Sequence, residues 1–172
     1  AGTGVSAMAV RAALRTDVGR LVPLALEYEE VSESYLSERF RSIRRMHEPA
    51  ADRFRDVFAK RLEETDTRVF VYESDAGILG YAVGTIRKDD DPLYDRPRTG
   101  ELVEMIVSAD HRGHGIASAL WHALRDWFAQ RSCTFVTLSV SANNDARMVY
   151  EKWGFEVFYE RMIMRLDDTS DR

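Results

Sequence analysis

The chain has 172 residues and a mass of 19.7 kDa, a length at which one domain buries most of its apolar surface without stabilising cross-links. Hydrophobic residues make up 45% and charged residues 31%, which excludes disorder, collagen and coiled coil for the chain as a whole. The net charge of −5 argues against a nucleic acid partner and mildly for a cationic one. No apolar run reaches membrane-spanning length, and a single cysteine, Cys133, suits a reducing compartment. We therefore expect a cytoplasmic protein without a membrane partner.

The two ends of the chain are expected to lie outside the domain. Residues 1–7 are small and polar and lack the basic and apolar regions of a signal peptide. We therefore interpret them as extra residues that precede the native start of the protein at Met8. Residues 167–172 are polar and are predicted to fray. A single domain is therefore expected over residues 8–166.

The first half of the chain predicts a short strand followed by a long helical region. Residues 10–14 favour the strand, and Thr16 or Asp17 is a candidate N-cap for the first helix. The helical pattern continues over residues 29–64 and is broken at Pro49. Arginines and glutamates are interleaved in this region, which is typical of a solvated helical face, with a flap over a substrate site as the alternative.

A β-hairpin is predicted next, with strands over residues 68–73 and 78–86 joined by a turn at 74–77. Residues 88–98 contain two prolines and three consecutive aspartates, Asp89–Asp91, and are expected to form a loop. We interpret the aspartates as a solvated loop tip, with local attraction for a cationic substrate as the alternative. No cysteine or histidine lies near them in sequence, so their spacing does not indicate a metal site.

Residues 101–107 carry apolar side chains on both faces, a pattern typical of a central strand covered on both sides. Glu104 interrupts one of these faces, where a carboxylate is costly unless it meets water, a partner or a functional site. Glu101 lies at the start of the strand, where water reaches it more easily. Glu104 is therefore the more informative carboxylate, with solvation at the sheet edge as an equal alternative.

A turn with two glycines connects this strand to an amphipathic helix beginning near Ile116. Gly113 and Gly115 let the backbone approach a ligand closely, and the helix N-terminus directs N–H groups to one place suited to a phosphate. Arg112 adds a positive charge. The turn lacks the lysine of a Walker loop, and Ser118 stands where a dinucleotide fingerprint needs its third glycine. By itself, this pattern also fits a helix entry without a ligand.

A strand over residues 135–140 precedes a helix with a C-cap at Gly154, and a last strand is expected to run to Leu166. Here two signatures match the GNAT (Gcn5-related N-acetyltransferase) superfamily in order and spacing. They are Arg112-x-x-Gly115-x-Ala117 and Asn143-x-x-Ala146-x-x-x-Tyr150-x-Lys152-x-Gly154-Phe155. The chain therefore resembles this superfamily, by motif over residues 101–155 and by element order from Val10 to Leu166.

The resemblance implies an α/β (α+β) fold, the GNAT fold. Its central sheet is mixed and mostly antiparallel, with six to seven strands, helices on both faces and a splay between strands four and five. The implied activity is an N-acetyltransferase that uses acetyl-CoA, needs no metal and acetylates a primary amine by direct attack in a ternary complex. The amine would belong to a small molecule or a peptide. A non-catalytic acyl-CoA-sensing module is the alternative function, and a homodimer is the default among oligomers.

The resemblance also assigns roles to residues. The pyrophosphate of acetyl-CoA is expected on the loop backbone, and the pantetheine arm along strand four. Tyr150 is the expected proton donor to the leaving thiolate. Because an amine with a pKa of about 10.4 is protonated at pH 7, Glu104 or Glu101 is the expected base. The expected cofactor-binding residues are Met105, Ile106, Val107, Arg112, Gly113, His114, Gly115, Ile116, Ala117, Ser118 and Asn143, with Asn144 as an alternative to Asn143.

Overall fold

The computed structural model describes residues 9–87 and 92–166. The predictions made for the two chain ends and for Asp89–Asp91 lie outside the described residues. The helices and strands follow the order β1 (Ala9–Ala12), α1 (Val18–Ser34), α2 (Ala50–Glu63), β2 (Thr67–Ser74), β3 (Gly77–Arg87), β4 (Thr99–Val107), α3 (Ile116–Gln130), β5 (Phe135–Leu138) and α4 (Ala146–Lys152). Short 3₁₀ turns lie at Arg15–Asp17, Glu38–Arg44 and Ala109–His111.

The strands form one mixed sheet in the order β1-β2-β3-β4-β5. The pairs from β1 to β4 are antiparallel, and β4 and β5 are parallel, which confirms the predicted sheet type. The described residues form five strands where six to seven were expected. Residues 156–166, predicted as a last strand, are irregular in the structure. An apolar stretch alone does not make a strand, because the backbone of a strand needs a paired neighbour.

Helices cover both faces of the sheet and create two apolar cores. One core lies under α1 and α2 and includes Leu21, Phe58, Tyr81 and Ile106. The other lies under α3 and includes Leu102, Leu120, Leu124 and Phe128. Gly84 of β3 lies beneath α3, where a Cβ would collide with Leu124 and Phe128, so the glycine lets the helix approach the sheet closely.

The helical first half is divided by shorter irregular stretches. Pro49 stands immediately before α2, as predicted, and the two helices pack against each other. Asp17 precedes α1 as predicted, but its carboxylate caps no helical N–H group and instead binds arginines and the N–H of Leu14. Within the part of the chain that the structure describes, no helix has both the length and the apolar composition needed to cross a bilayer.

Candidate functional site

The strand β4 loses its neighbour on one side halfway along its length. Thr99–Leu102 pair with Phe135–Leu138 of β5, and the two strands make no further pairs in the described residues. On its other side β4 stays paired with β3 from end to end. The backbone N–H and C=O groups of residues 103–107 therefore line an open edge, to which an extended ligand with amide groups can add like a further strand.

A β-bulge lies where this opening begins. Val83 pairs with Glu104, whereas Gly84 pairs with Leu102, so Val103 is an extra residue in β4. A bulge bends the strand and redirects the side chains next to it. The bulge divides β4 into two halves. The first half pairs with β5 and contains Glu101, and the second half borders the opening and contains Glu104.

The loop after β4 leads into the N-terminus of α3. Gly113 and Gly115 both have a φ of +79°, a conformation that strains any residue with a side chain. A Cβ on either glycine would meet no atom within 4 Å apart from its chain neighbours, so both face open space. No side chain caps α3, whose first turn begins with Ile116, Ala117 and Ser118. The N–H groups of this turn therefore remain available to an anion such as a phosphate.

Arg112 ties this loop to α1. Its Nη2 donates to Oε1 of Glu27 at 2.8 Å, and its Nε donates to the carbonyl oxygen of Val107 at 3.0 Å. The same Glu27 oxygen accepts the N–H of Ala109 at 3.1 Å. Sequence reasoning missed Glu27 because its partners lie 82 and 85 residues away and no local pattern marks it. His114 stays within the loop, where its Nδ1 lies 3.2 Å from the carbonyl oxygen of His111.

Glu104 is held by side chains from two other elements. Its Oε1 accepts a hydrogen bond from Nη2 of Arg61 at 2.7 Å, and its Oε2 accepts one from the Tyr81 hydroxyl at 3.1 Å. Burial raises the pKa of Tyr81 well above its usual range, and the charge of Glu104 adds to that effect. The Tyr81 hydroxyl therefore keeps its proton and stays a donor to the carboxylate.

Arg61 of α2 is the second residue that sequence reasoning missed. Burial disfavours its charge, but the hydrogen bond to Glu104 and the negative charges nearby together outweigh burial and raise the pKa of Arg61. Its Nη1 is buried without a hydrogen-bond partner among the described residues. One sequence signal could have identified Arg61. It lies three residues after Phe58, and a charged side chain beside an apolar helical stripe needs a partner.

Glu101, the other predicted base, forms an ion pair with Arg87 of β3. Arg87 is mostly exposed, so this pair lies at the protein surface. Glu101 also belongs to the half of β4 that pairs with β5. Of the two predicted bases, only Glu104 lies in the open half of the strand.

Tyr150 of α4 packs among aromatic rings on the α3 side of the sheet. Its ring centroid lies 5.7 Å from that of Trp153 and 6.1 Å from that of Phe155. Burial raises the pKa of its phenol to about 12, and nearby Tyr28 and Tyr35 add to the effect. The phenol therefore holds its proton at neutral pH, as a proton donor must.

Tyr28 of α1 is a second partly buried tyrosine whose pKa is raised, as that of Tyr150 is. Burial raises the pKa of Tyr28, and the charge of Glu104 contributes to the rise. Tyr28 in turn contributes to the raised pKa of Tyr150. Glu104 and Tyr28 belong to the α1 and α2 face, whereas Tyr150 packs on the α3 face.

The second motif forms a short helix with defined ends. The Asn144 Oδ1 accepts the N–H of Ala146 at 2.9 Å, so this side chain is used to start α4. Gly154, with a φ of +95°, ends the helix, and the N–H of Phe155 donates to the carbonyl oxygen of Tyr150 at 3.0 Å. The Asn143 Nδ2 makes only a long contact of 3.4 Å with the carbonyl oxygen of Tyr35, which leaves Asn143 the better candidate for a ligand contact.

Groups suited to metal binding or covalent chemistry are sparse in this part of the molecule. No three histidine, cysteine, aspartate or glutamate side chains come together as a metal site in residues 9–87 and 92–166. Cys133 packs against the core under α3, and burial raises the pKa of its thiol, which makes it a weak nucleophile.

Comparisons with known proteins identify the family and the fold of the chain. The family model described as Acetyltransferase (GNAT) family matches residues 28–155, which include Glu104, Tyr150 and both signatures. No curated protein matches the chain. Among solved structures, a tetramutant of the BH1408 protein from Bacillus halodurans aligns with a TM-score of 0.78 at 20% identity, covering 92% of this chain and 100% of its own.

Two further solved structures are of proteins named as acetyltransferases. The aminoglycoside N-acetyltransferase AAC(6')-Iy in complex with CoA aligns with a TM-score of 0.75 at 19% identity, covering 96% of this chain and 98% of its own. The ribosomal-protein-alanine N-acetyltransferase from Brucella melitensis biovar Abortus 2308 aligns with a TM-score of 0.66 at 20% identity, covering 91% and 99%. At these identities the likeness shows a shared fold.

Proposed function

The chain belongs to the GNAT acetyltransferase family, and from that premise we propose that it transfers an acetyl group from acetyl-CoA to a primary amine by direct attack in a ternary complex. The observation that carries the proposal is the backbone edge of β4 that opens after Leu102, contains Glu104 and leads into the loop through Gly113 and Gly115. Amide formation from a thioester needs a base for the amine and an acid for the leaving thiolate, and we assign these roles to Glu104 and Tyr150.

The residues around the opening fit acetyl-CoA, which supplies the acetyl group as a reactive thioester. The free backbone edge at Met105, Ile106 and Val107 suits the amides of a pantetheine arm. The loop through Gly113 and Gly115 and the uncapped first turn of α3 suit a pyrophosphate. Arg112, fixed by Glu27, keeps a positive charge beside that loop.

Glu104 removes a proton from the ammonium group of the acceptor, directly or through water, because only the neutral amine is a nucleophile. Both Glu104 oxygens already accept hydrogen bonds, one from Arg61 and one from Tyr81. One of these two hydrogen bonds must therefore be replaced by a hydrogen bond from the ammonium group. The N–H groups of the open β4 edge are available to stabilise negative charge on the acetyl oxygen.

Tyr150 donates its phenolic proton to the departing sulfur, and solvent restores that proton afterwards. A phenol with a pKa of about 12 is a weak acid for a thiolate in water. The burial that raises the pKa of Tyr150 also disfavours a thiolate beside it, which brings the two proton affinities closer together.

The acceptor is proposed to be a primary amine on a small molecule or a peptide. The two acetyltransferase neighbours are named for an aminoglycoside and for a ribosomal-protein alanine, and both kinds of acceptor carry a primary amine. The net charge of −5 favours a cationic acceptor. The single thiol of Cys133 is compatible with a reaction in the cytoplasm.

The test is the release of CoA from acetyl-CoA with a panel of polyamines, aminoglycosides, amino acids and peptides with free N-termini. We expect Tyr150→Phe to lower kcat about 100-fold on the best acceptor. Tyr72→Phe, a change of the same size on β2, should leave kcat near the wild-type value. Full turnover in Tyr150→Phe would rule out the acid role, and tight acetyl-CoA binding without turnover on any acceptor would favour the sensing module.

A further inference from the structure

Glu27 of α1 joins two parts of the chain that lie far apart in sequence. Its Oε1 accepts hydrogen bonds from Nη2 of Arg112 at 2.8 Å and from the backbone N–H of Ala109 at 3.1 Å. Both partners lie between the end of β4 and the start of α3, in the stretch that leads to Gly113 and Gly115. One carboxylate oxygen therefore fastens α1 to the beginning of the glycine loop.

Arg112 also contacts the open edge of β4. Its Nε donates to the carbonyl oxygen of Val107, the last residue of the strand, at 3.0 Å. The next N–H group, that of Ser108, donates to the carbonyl oxygen of Leu79 in β3 at 2.8 Å. Because backbone groups of successive residues in a strand point to opposite edges, the Val107 carbonyl points away from β3. Arg112 therefore lies where the open edge ends and the glycine loop begins.

The acetyl-CoA molecule of the proposed function occupies both places that Arg112 connects. Its pantetheine arm is assigned to the open edge and its pyrophosphate to the glycine loop, so the ligand turns beside Arg112. The guanidinium uses Nε for Val107 and Nη2 for Glu27, and its Nη1 makes no hydrogen bond with the described residues. Arg112 is 48% exposed, so Nη1 is left for a phosphate oxygen, a charge-assisted partner.

The position of Arg112 is fixed before any ligand arrives. An unrestrained arginine loses side-chain freedom when it binds a phosphate, and that loss weakens binding. Glu27 and Val107 already hold two of the three guanidinium nitrogens, so less freedom remains to be lost. A carboxylate near a phosphate site would by itself repel the ligand, but the ion pair with Arg112 balances the charge of Glu27. The net effect of Glu27 is therefore to favour binding.

We propose that Glu27 is a positioning residue for acetyl-CoA, which holds Arg112 between the open edge of β4 and the glycine loop so that both parts of one donor molecule are bound together. This inference rests on the proposed function for the identity of the donor. Glu27 acts through Arg112 and is assigned no contact with the acetyl group or the acceptor amine. Its effect therefore falls on the affinity for the donor rather than on the chemical step.

The first test measures the dissociation constant of acetyl-CoA by calorimetry. Glu27→Ala should raise it about tenfold, with a matching rise in KM and kcat within about twofold. Glu27→Gln keeps an oxygen that accepts from Arg112 and Ala109, and should raise it no more than about threefold. Glu30→Ala, at an exposed position on the same helix, is the matched control and should bind as the wild type does. Unchanged or tighter binding in Glu27→Ala would overturn the inference.

The second test separates positioning of Arg112 from general support of the fold. S-acetylpantetheine carries the same thioester and amides as acetyl-CoA but no phosphate, so Arg112 has nothing to bind in it. The wild-type preference for acetyl-CoA over S-acetylpantetheine, measured as a ratio of KM values, should shrink about tenfold in Glu27→Ala. A rise in KM of equal size for both donors would assign Glu27 a purely structural role and contradict the inference.

The third test asks whether Glu27 acts through Arg112. Arg112→Ala should weaken acetyl-CoA binding, and adding Glu27→Ala to that variant should change the dissociation constant less than about twofold. A further tenfold loss in the double variant would refute action through Arg112. A wild-type chain that binds no CoA overturns the proposed function and this inference with it. Binding of CoA that is insensitive to Glu27→Ala overturns the inference alone.

Discussion

Asp17 and Glu104 are both largely buried carboxylates that bind arginine, but their surroundings differ. The Asp17 side chain is 3% exposed and accepts hydrogen bonds from Arg11 at 2.7 and 3.0 Å, from Arg20 at 3.1 Å and from the N–H of Leu14 at 2.8 Å. The hydrogen bonds from Arg11 outweigh burial and lower the pKa of Asp17 to about 2. Glu104, at 12% exposed, accepts one hydrogen bond at each oxygen.

The difference follows from where each carboxylate lies in the fold. Asp17 joins β1 to the start of α1, and Arg11 and Arg20 continue the network to Glu73 of β2. Glu104 lies where β4 has already lost β5, and its partner Arg61 keeps a buried Nη1 without a partner among the described residues. A saturated network fixes the chain, whereas we propose that an incomplete one at an opening exchanges partners with a substrate.

Loss of the Glu104 charge is expected to have the largest effect. Glu104→Gln should lower kcat by about 100- to 1,000-fold, because the acceptor amine loses its base. Glu101→Gln is the matched control, since Glu101 lies on the same strand and also pairs with an arginine. Steady-state kinetics with the best acceptor would check this. An equal fall in kcat in both variants would contradict the assignment of Glu104, rather than Glu101, as the base.

Replacement of Asp17 should show the opposite behaviour, with a loss of stability and an unchanged kcat. A pKa lowered from 3.8 to about 2 corresponds to about 2 kcal/mol of folding free energy at pH 7. Asp17→Asn should lose about this amount in urea unfolding. Asp75→Asn, at an exposed hairpin turn, should lose almost nothing.

The stability difference at Asp17 should also depend on pH. The pKa of Asp17 in the folded chain lies below that in the unfolded chain, so ionised Asp17 stabilises the fold fully above about pH 4. That contribution disappears as the pH falls towards 2. The gap between wild type and Asp17→Asn should therefore narrow from pH 5 to pH 2.5. A gap of constant size would assign the effect to lost packing.

These two carboxylates also show what the sequence can and cannot predict. Glu104 is visible as a carboxylate in an apolar strand, and the loop glycines and Tyr150 lie in motifs with fixed local spacing. Arg61 and Glu27 are not visible in this way, because each finds its partner more than 40 residues away through the fold. Asp17 has the sequence of a helix cap, yet two arginines outcompete the helix for its oxygens.

Residues 156–166 show the same limit at the level of an element. They are predicted as a last strand, and the described residues form none there. An apolar sequence favours a buried strand, whereas pairing depends on a neighbouring backbone that these residues do not themselves supply. The sheet between β1 and β5 was predictable because each of its strands has such a neighbour in the same chain.

Exchanging the arginine in each network for lysine gives a smaller and sharper test. Arg61→Lys keeps the charge but loses the planar fork that orients Glu104, and should lower kcat about tenfold. Arg11→Lys loses the two-pronged contact with Asp17 and should lower the unfolding free energy by about 1 kcal/mol with kcat unchanged. Kinetics and urea unfolding on both variants would check this. The contrast fails if Arg11→Lys reduces kcat as strongly as Arg61→Lys.

Tyr81→Phe should have the smallest effect on the reaction. The Tyr81 hydroxyl holds Glu104 Oε2 at 3.1 Å, whereas Arg61 holds Oε1 at 2.7 Å, so the tyrosine bond is the weaker one and the one that yields to an incoming ammonium. Its removal should leave kcat within about twofold and lower the unfolding free energy by about 1 kcal/mol, because the ring keeps its edge contact with Phe58. A fall in kcat as large as that of Glu104→Gln would show that the hydroxyl positions the base during proton transfer, and that the exchanging partner is Arg61.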